Sequence, residues 1–165
     1  MGKEIERKFK ININKIDLSK LKKYVIQQGY LSNANKIVTR VRTRLEMRGE
    51  VGINSEAFIT IKGPNDGVER PEFEYNIPVE DGNEMIRMCE DNVILKYRYL
   101  FIAEDEHIWE IDIFNGDNLG LIIAEIELKT ADEVFVKPDW VLEEVSDDSK
   151  YYNSNLVANP FKDWR

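Results

Sequence analysis

Side chains that often carry enzyme chemistry at neutral pH are almost missing from this sequence. Its 165 residues include a single cysteine, Cys89, and a single histidine, His107. One cysteine cannot form an internal disulfide, and the sequence contains no Cys/His pattern of a zinc site. Cys89 lies in the apolar stretch NEMIRMCEDNVIL, which predicts a buried structural thiol, while AEDEHIW predicts an exposed hairpin turn at His107. Any chemistry must therefore come from carboxylates, cations and tyrosines.

Long apolar runs and an excess of positive charge are absent as well. No stretch is long and apolar enough to span a bilayer, and the N-terminus is charged from Lys3 onward, where a signal peptide would be apolar. With 23 Lys and Arg against 31 Asp and Glu, the formal net charge is −8. This balance argues against a broad nucleic-acid-binding face or attachment to anionic lipid, although a local basic pocket stays open. We expect a cytoplasmic protein with no nucleic-acid and no membrane partner.

Short segments with alternating polar and apolar residues make up most of the chain. They are EIERKFKI, IVTRVRTRL, AFITIKG, RPEFEYNIPV, ILKYRYLFI, HIWEIDIF and LIIAEIELK, and each is predicted to be a β-strand. Turn sequences such as KGPNDG and FNGDNLG separate several of them. Because no repeat, linker or low-complexity tract interrupts this pattern, residues 1–165 are predicted to form one domain of mainly antiparallel sheet.

Three segments are predicted to be helical. In DLSKLKKYVIQQG, Asp17 is placed as an N-cap, the apolar residues have helical spacing, and Gly29 is placed as the stop. DGNEMIRMCEDN also has the pattern of a helix. In the tail, SDDSKYYNSNLVANP predicts a short final helix that begins at Ser146 or Asp147 and ends near Pro160.

The polar side of every predicted strand carries charge. Alternate side chains of a strand share a face, so the charged residues lie on one side and large apolar residues on the other. The charged sets are Glu4, Glu6, Lys8 and Lys10; Arg40, Arg42 and Arg44; Lys62; Glu72 and Glu74; Lys96 and Arg98; Glu110 and Asp112; Glu125 and Glu127. Carboxylates and cations are largely segregated by strand, whereas a solvated sheet usually mixes the two signs with neutral polar residues.

Two packings satisfy this alternation. The sheet is either a sandwich with its charges in solvent, or a barrel with a charged inner wall and helices against its apolar outer wall. Segregation by sign favours the barrel, although alternation alone does not decide. Buried charges are costly without compensation, so a charged interior implies a polyanion and metal ions as its occupants. Paired carboxylates suit Mg²⁺ or Mn²⁺, and Arg and Lys suit phosphate oxygens.

The motifs EIERK, RVR, TIKG, RPEFE, LKYRY, EIDIF and AEIEL, in this order, resemble the CYTH, or triphosphate tunnel metalloenzyme, superfamily. The resemblance runs over nearly the whole chain, and Glu4, Glu6 and Lys8 match the hallmark Glu-x-Glu-x-Lys. It implies an α+β fold, a closed eight-stranded antiparallel barrel with helices outside, whose tunnel binds a triphosphate and one or two divalent cations. ERKF and the C-terminal tail are most similar to the short bacterial members, which hydrolyse inorganic tripolyphosphate and cover one tunnel end with a terminal helix.

The resemblance also implies roles for individual residues. Phosphate would be bound by Lys8, Arg40, Arg42, Lys62, Lys96 and Arg98. Metal would be bound by Glu4, Glu6, Asp112, Glu125 and Glu127, with Glu72 and Glu74 serving a second metal or positioning water. Tyr30 and Lys96 resemble a catalytic tyrosine–lysine pair of some members. The alternative that Tyr30 simply packs after the first helix stays open.

Other functions remain open at this point. Within the same superfamily, the chain is also compatible with a class IV adenylate cyclase or a thiamine or nucleoside triphosphatase. Outside enzymes, it is compatible with a module that only binds polyphosphate, although so many carboxylates would weaken anion binding unless metals occupied them. A homodimer, the exposure of Arg44 and a phosphate contact from Lys150 are likewise left open.

Overall fold

Strands account for most of residues 2–164, the part of the chain that the computed structural model describes. The strands are β1 (Glu4–Ile11), β2 (Lys22–Ala34), β3 (Ile37–Arg48), β4 (Val51–Lys62), β5 (Glu69–Arg70), β6 (Glu72–Ile77), β7 (Val93–Ile102), β8 (Ile108–Phe114), β9 (Ile122–Glu127) and β10 (Val141–Glu144). The α-helices are α1 (Val79–Met88) and α2 (Asn153–Leu156), and 3₁₀ turns lie at Ile13–Lys15, Leu18–Lys20, Gly116–Asn118, Ser149–Tyr151 and Phe161–Asp163. Each of the seven segments predicted to be a strand overlaps a strand of the structure. No helix of residues 2–164 has the length and apolar character needed to cross a membrane.

The strands form one sheet in the order β10-β1-β9-β8-β7-β2-β3-β4-β6, with antiparallel neighbours throughout. β5 pairs with the start of β1, where Arg70 lies opposite Glu4. The start of β6 also approaches the beginning of the chain, since the Glu72 N–H donates to the Gly2 carbonyl at 3.2 Å. The sheet therefore curls into a nearly closed barrel. The predicted barrel is confirmed, with nine strands along the sheet instead of eight.

The helix predicted over residues 17–29 is wrong. Asp17 caps only the 3₁₀ turn Leu18–Lys20, and after this turn the chain continues as β2. β2 is hydrogen-bonded to β7 on one side and to β3 on the other. Tyr24 and Ile26 both point into the barrel from this strand and are buried. Pairing on both edges together with this burial outweighs the helical spacing of Leu18, Leu21 and Val25.

The other two helix predictions are confirmed in outline. α1 packs on β2, β3 and β4, where Ile86 and Cys89 lie against Val41. Cys89 is 4% exposed, as its predicted structural role requires. The C-terminal segment becomes helical only at Ser149, later than predicted, because Asp148 is the residue whose side chain caps the first turn. It consists of this 3₁₀ turn followed by α2.

Loops cover much of the outer wall where helices were predicted. Phe9, Trp109 and Trp140 form an aromatic core between the barrel and the segment before β10, with the two tryptophan ring centroids 5.5 Å apart. On β4 and β6 the outward-facing side chains of Ile61 and Phe73 are 40% and 48% exposed. The predicted helical cover is therefore present over β2–β4, where α1 lies, and not over β6.

His107 lies in the turn between β7 and β8, as predicted, but its ring is not fully exposed. Nδ1 lies 2.9 Å from Asp105 and Nε2 lies 3.0 Å from Glu133, and the side chain is 18% exposed. The loop after β9 folds over the turn, because the Val136 N–H donates to the Asp105 carboxylate at 2.6 Å. The hydrogen bond to Glu133 raises the pKa of His107, partial burial opposes this, and Asp105 adds to the increase.

Candidate active site

The inward faces of the barrel strands enclose a polar cavity of about 300 Å³. It is lined by all but one of the predicted site residues: Glu4, Glu6, Lys8, Tyr30, Arg40, Arg42, Lys62, Glu72, Glu74, Lys96, Arg98, Glu125 and Glu127. These side chains come from β1, β2, β3, β4, β6, β7 and β9. Strand alternation therefore brings together residues that are far apart in the sequence.

On one wall, two arginines of β3 share a carboxylate of β6. Arg42 Nη2 donates to Glu74 at 3.1 and 3.2 Å, and Arg40 Nη2 donates to it at 3.4 Å. The hydroxyl of Thr60, on the strand between them, donates to Glu74 at 2.7 Å. Burial opposes the ionisation of Glu74, but Arg42, Thr60 and Arg40 together hold its pKa below the usual value. This wall presents guanidinium groups that are already oriented by a carboxylate.

Lys62 links this wall to the first strand. Its Nζ lies 2.7 Å from Glu4 and 3.0 Å from Glu72, so one ammonium group bridges carboxylates of β1 and β6. All three side chains line the cavity. The nearly closed seam of the barrel is thus also part of the site.

A second ionic network crosses β1, β9 and β7. Lys8 is 8% exposed and its ammonium is paired with Glu6 and Glu125. Glu125 also accepts from Arg98 Nη2 at 2.9 Å. Arg98 is further paired with Glu110 on β8. Buried charges of both signs are therefore connected in one network, the arrangement that keeps charge inside a protein tolerable.

Asp112 is the predicted site residue that does not line the cavity. It is fully buried, and Arg98 donates two hydrogen bonds of 2.7 Å to its carboxylate. Its remaining contact is with Lys96, whose Nζ donates to Oδ2 at 2.6 Å. The geometry makes Asp112 a counter-ion behind two cavity cations. Its predicted place among the metal ligands stays a prediction.

Tyr30 and Lys96 both border the cavity but have different partners. Lys96 Nζ is bonded to Asp112 and Asn153, while the Tyr30 hydroxyl accepts from Gln28 Nε2 at 2.8 Å. Burial, followed by repulsion from Arg98, lowers the pKa of Lys96 to about 8. Burial also raises the pKa of Tyr30 to about 12. Tyr30 lies on β2 and not after a helix, but its buried ring and its bonded hydroxyl are what the packing alternative expects, so its catalytic role stays a prediction.

Carboxylates outnumber their cationic partners where β1 meets β9. Glu6 lies directly opposite Glu127, with Glu4 farther along the same face of β1. Burial and then repulsion from Glu4 and Glu6 raise the pKa of Glu127 to about 7. No three acidic, histidine or cysteine side chains of residues 2–164 already stand in a metal-coordinating arrangement, since Glu4 and Glu6 are turned toward Lys62 and Lys8. The donor set itself, several carboxylates on one wall, has the chemistry that hard divalent cations prefer.

Comparison with known proteins agrees with this architecture, since the CYTH domain family matches residues 2–156. The chain belongs to the CYTH domain family. It is 43% identical over 166 residues to an inorganic triphosphatase of Acetivibrio thermocellus, covering 100% of this chain and 99% of that protein. It is also 30% identical over 158 residues to an inorganic triphosphatase of Nitrosomonas europaea, covering 94% of this chain and 97% of that protein.

Solved structures share the fold of this CYTH domain. The crystal structure of an inorganic triphosphatase superposes with a TM-score of 0.62 at 29% identity, covering 93% of both chains. A protein from Pyrococcus horikoshii OT3 superposes with a TM-score of 0.55 at 20% identity, over 82% of this chain and 80% of that one. The second likeness concerns the fold alone.

Several cavity residues of this CYTH domain had no predicted role. Glu110 stands in the charged set of β8, and its pKa is raised by burial. Thr60 does not itself line the cavity but is buried behind its wall, where it donates to Glu74; it belongs to the inward series of β4 and is detectable by the same alternation that gives Lys62. Ser146 and Asn153 come from the C-terminal segment, from the loop after β10 and the start of α2, where no strand alternation marks them.

The two cations left open are now placed. Arg44 lines the cavity and pairs with Glu56, and its guanidinium lies 4.9 Å from the ring of Tyr24 and 5.2 Å from that of Phe58. Lys150 does not line the cavity, and its side chain is 45% exposed.

One end of the barrel is filled by an apolar cluster. Its members from the strands and from the C-terminal segment are Tyr30, Val38, Ile94, Phe114, Leu121, Ile123, Val145, Tyr151 and Leu156. Ile94 and Phe114 follow the inward series of Lys96 and Asp112 on their strands. The C-terminal segment of the CYTH domain therefore closes the barrel next to these charged residues.

Proposed function

We propose that this CYTH domain is a metal-dependent triphosphatase that hydrolyses inorganic tripolyphosphate to pyrophosphate and phosphate. The observation that carries the proposal is the cavity, where the six predicted phosphate-binding cations, together with Arg44 and Arg70, and a group of carboxylates line the same enclosed space. The names of the two relatives above support it. Six phosphate-binding cations are enough to bind all three phosphates of the substrate without any contact to an organic group.

The cations would bind phosphate oxygens. They are Lys8, Arg40, Arg42, Lys62, Lys96 and Arg98, and each is already oriented by at least one carboxylate. An arginine held in this way loses little conformational freedom when it also donates hydrogen bonds to a phosphate. Water then attacks the terminal phosphorus, the bond to the bridging oxygen breaks, and pyrophosphate leaves with the bonding electrons. Little covalent help from the protein is needed for this reaction.

The carboxylates would hold Mg²⁺ or Mn²⁺. Glu4, Glu6 and Glu127 fit best, because they face the cavity from adjacent strands and their mutual repulsion would be relieved by a cation. Glu125, Glu72 and Glu74 are further candidates, although Glu74 already serves Arg40 and Arg42. A bound divalent cation would neutralise phosphate oxygens and lower the pKa of a water molecule. One or two ions, and either metal, are compatible with this donor set.

Lys96 and Tyr30 are the proposed catalytic residues. Lys96 would stabilise the negative charge that develops on the phosphate, an effect that is strong where water is restricted. Tyr30 would act as a neutral hydrogen-bond donor, because its raised pKa keeps the phenol protonated at neutral pH and its oxygen is already an acceptor for Gln28.

Cytoplasmic location, lack of a nucleic-acid partner and a homodimer stay predictions. A second copy would find exposed apolar residues on β6, such as Phe73 and Tyr75.

A phosphate-release assay with four substrates tests the proposal. Tripolyphosphate, pyrophosphate, ATP and thiamine triphosphate are compared with Mg²⁺ and with Mn²⁺, and products are identified by ³¹P NMR and chromatography. We expect tripolyphosphate to give pyrophosphate and phosphate with a higher kcat/KM than ATP. Cyclic AMP from ATP would favour the cyclase, and faster hydrolysis of thiamine triphosphate would favour that substrate. Tight tripolyphosphate binding without turnover in either metal would favour a binding module.

A further inference from the structure

Asn153 connects the C-terminal segment to the buried lysine of the cavity. Its Oδ1 accepts a hydrogen bond from Lys96 Nζ at 3.2 Å, and its Nδ2 donates to Glu125 at 3.5 Å. Lys96 is only 2% exposed, and the Asn153 side chain lines the cavity beside it. The side chain is neutral, in a site where most polar neighbours are charged.

The lysine needs a second fixed contact because of its own chemistry. An ammonium group is a point charge on a flexible four-carbon stem and has three N–H donors. Asp112 accepts one of them at 2.6 Å, which leaves the group free to rotate about this bond. Asn153 accepts a second N–H, so the third acquires a defined direction. A neutral acceptor does this without cancelling the positive charge that a phosphate would meet.

The backbone around Asn153 is itself held in place. The neighbouring Tyr151 and Leu156 are buried in the apolar cluster at the barrel end, at 6% and 0% exposure. At the start of the segment, the Lys8 N–H donates to the Ser146 hydroxyl at 2.9 Å. The amide of Asn153 therefore has a rigid base from which to orient Lys96.

We infer that Asn153 is a positioning residue that orients the Lys96 ammonium toward the substrate and thereby couples the folding of the C-terminal segment to turnover. The inference rests on the proposed triphosphatase function. Because Lys96 would act mainly on the developing charge, the loss of Asn153 should lower kcat more than it raises KM.

A double-mutant cycle with tripolyphosphate as substrate tests this inference. Asn153→Ala and the size-matched Asn153→Leu should each lower kcat on the order of tenfold, the scale of a misplaced catalytic group, with KM changed less than about threefold. In the Lys96→Met background the same substitutions should have no further effect, because residues that act as a unit are not additive. Asn155→Ala is the control: it removes a 2.8 Å hydrogen bond to the Ser149 carbonyl in the same segment, away from the cavity, and should leave kcat unchanged. Full activity of both Asn153 variants, or losses that add to that of Lys96→Met, would overturn the inference.

A readout without turnover separates this inference from the proposed function. In ¹H–¹⁵N NMR spectra, the Lys96 ammonium of the wild-type protein should give a signal protected from water exchange, and Asn153→Ala should weaken or remove it while Asn155→Ala preserves it. If the wild type does not cleave tripolyphosphate but the signal depends on Asn153, the proposed function fails and the positioning role stands. If cleavage is normal and the signal is indifferent to Asn153, the positioning role fails.

Discussion

Glu6 on β1 and Glu127 on β9 lie directly opposite each other on the inner wall of the barrel. Two carboxylates in this relationship repel each other and destabilise the sheet. Local rules of sequence and structure are broken most often at functional sites, and this pair borders the cavity.

Replacing either glutamate by glutamine should lower activity, but only one of the two variants should gain stability. Glu127→Gln keeps the size of the side chain but removes the repulsion, so its free energy of unfolding should rise by up to about 1 kcal/mol. Glu6→Gln also removes a charged partner of the buried Lys8, so it should be less stable than Glu127→Gln. Turnover should fall by about two orders of magnitude, because a charged metal ligand is lost. Denaturant unfolding and phosphate release at varied Mg²⁺ concentration measure the two effects. Two variants with full activity and unaltered metal dependence would refute the metal assignment.

Metal removal should abolish activity without unfolding the protein. The aromatic core of Phe9, Trp109 and Trp140 and the backbone hydrogen bonds between strands involve none of the proposed metal-binding side chains. The core of the barrel therefore does not depend on a cation. After treatment with EDTA, phosphate release should disappear while the circular dichroism spectrum is preserved. Added Mg²⁺ or Mn²⁺ should restore activity. Undiminished turnover of the chelated enzyme would argue for cation chemistry supplied by lysine and arginine alone.

Lys96 should matter far more than Lys150. Lys96 is buried beside Asp112 and faces the cavity, whereas the Lys150 side chain is 45% exposed outside it. Lys96→Ala should reduce turnover on the order of tenfold or more, since it removes a cation near the developing charge. Lys150→Ala should have little effect. Equal losses in the two variants would contradict the placement of Lys96 in the reaction.

The strands and most of the cavity residues were predictable because they depend on strand alternation, whereas the choice of a barrel over a sandwich depended on the segregation of charge by sign and on the resemblance to the CYTH superfamily. A period of two places Glu4 beside Glu6, and Arg40 beside Arg42, on one face whatever the details of packing. β2 was missed because Leu18, Leu21 and Val25, before and within it, have the spacing of a helix, and only pairing with β3 and β7 decides between the two. Asn153 was missed for another reason: it is the first residue of the short helix α2, and its contact with the cavity follows from tertiary packing that no local period encodes.

His107 should make stability depend on pH near neutrality. Its pKa is raised, chiefly by Glu133, so the folded state binds a proton more tightly than the unfolded state. This contribution is fully present below the unfolded pKa of about 6.5 and is lost as pH rises through the raised folded value. Because His107 and its partners Asp105 and Glu133 lie near the surface, their contribution to the free energy of unfolding should be less than about 1 kcal/mol. Denaturant unfolding between pH 5.5 and pH 8.5, about one to two units on either side of that value, should show a decrease that is smaller in His107→Gln. Identical pH profiles would exclude this role.

Gly29 should be required for contact with α1 and not as a helix stop. It lies within β2, and a Cβ added there would stand 2.5 Å from Cys89 Sγ and 3.6 Å from Val41. Gly29→Ala should therefore destabilise the protein by about 1–3 kcal/mol, the usual cost of overpacking a core. Cys89→Ala removes the obstructing sulfur, so the double variant Gly29→Ala/Cys89→Ala should recover part of the loss relative to the sum of the single variants. Thermal and denaturant unfolding of all four proteins measure this coupling. If the two substitutions are simply additive, the close contact between β2 and α1 does not explain the glycine.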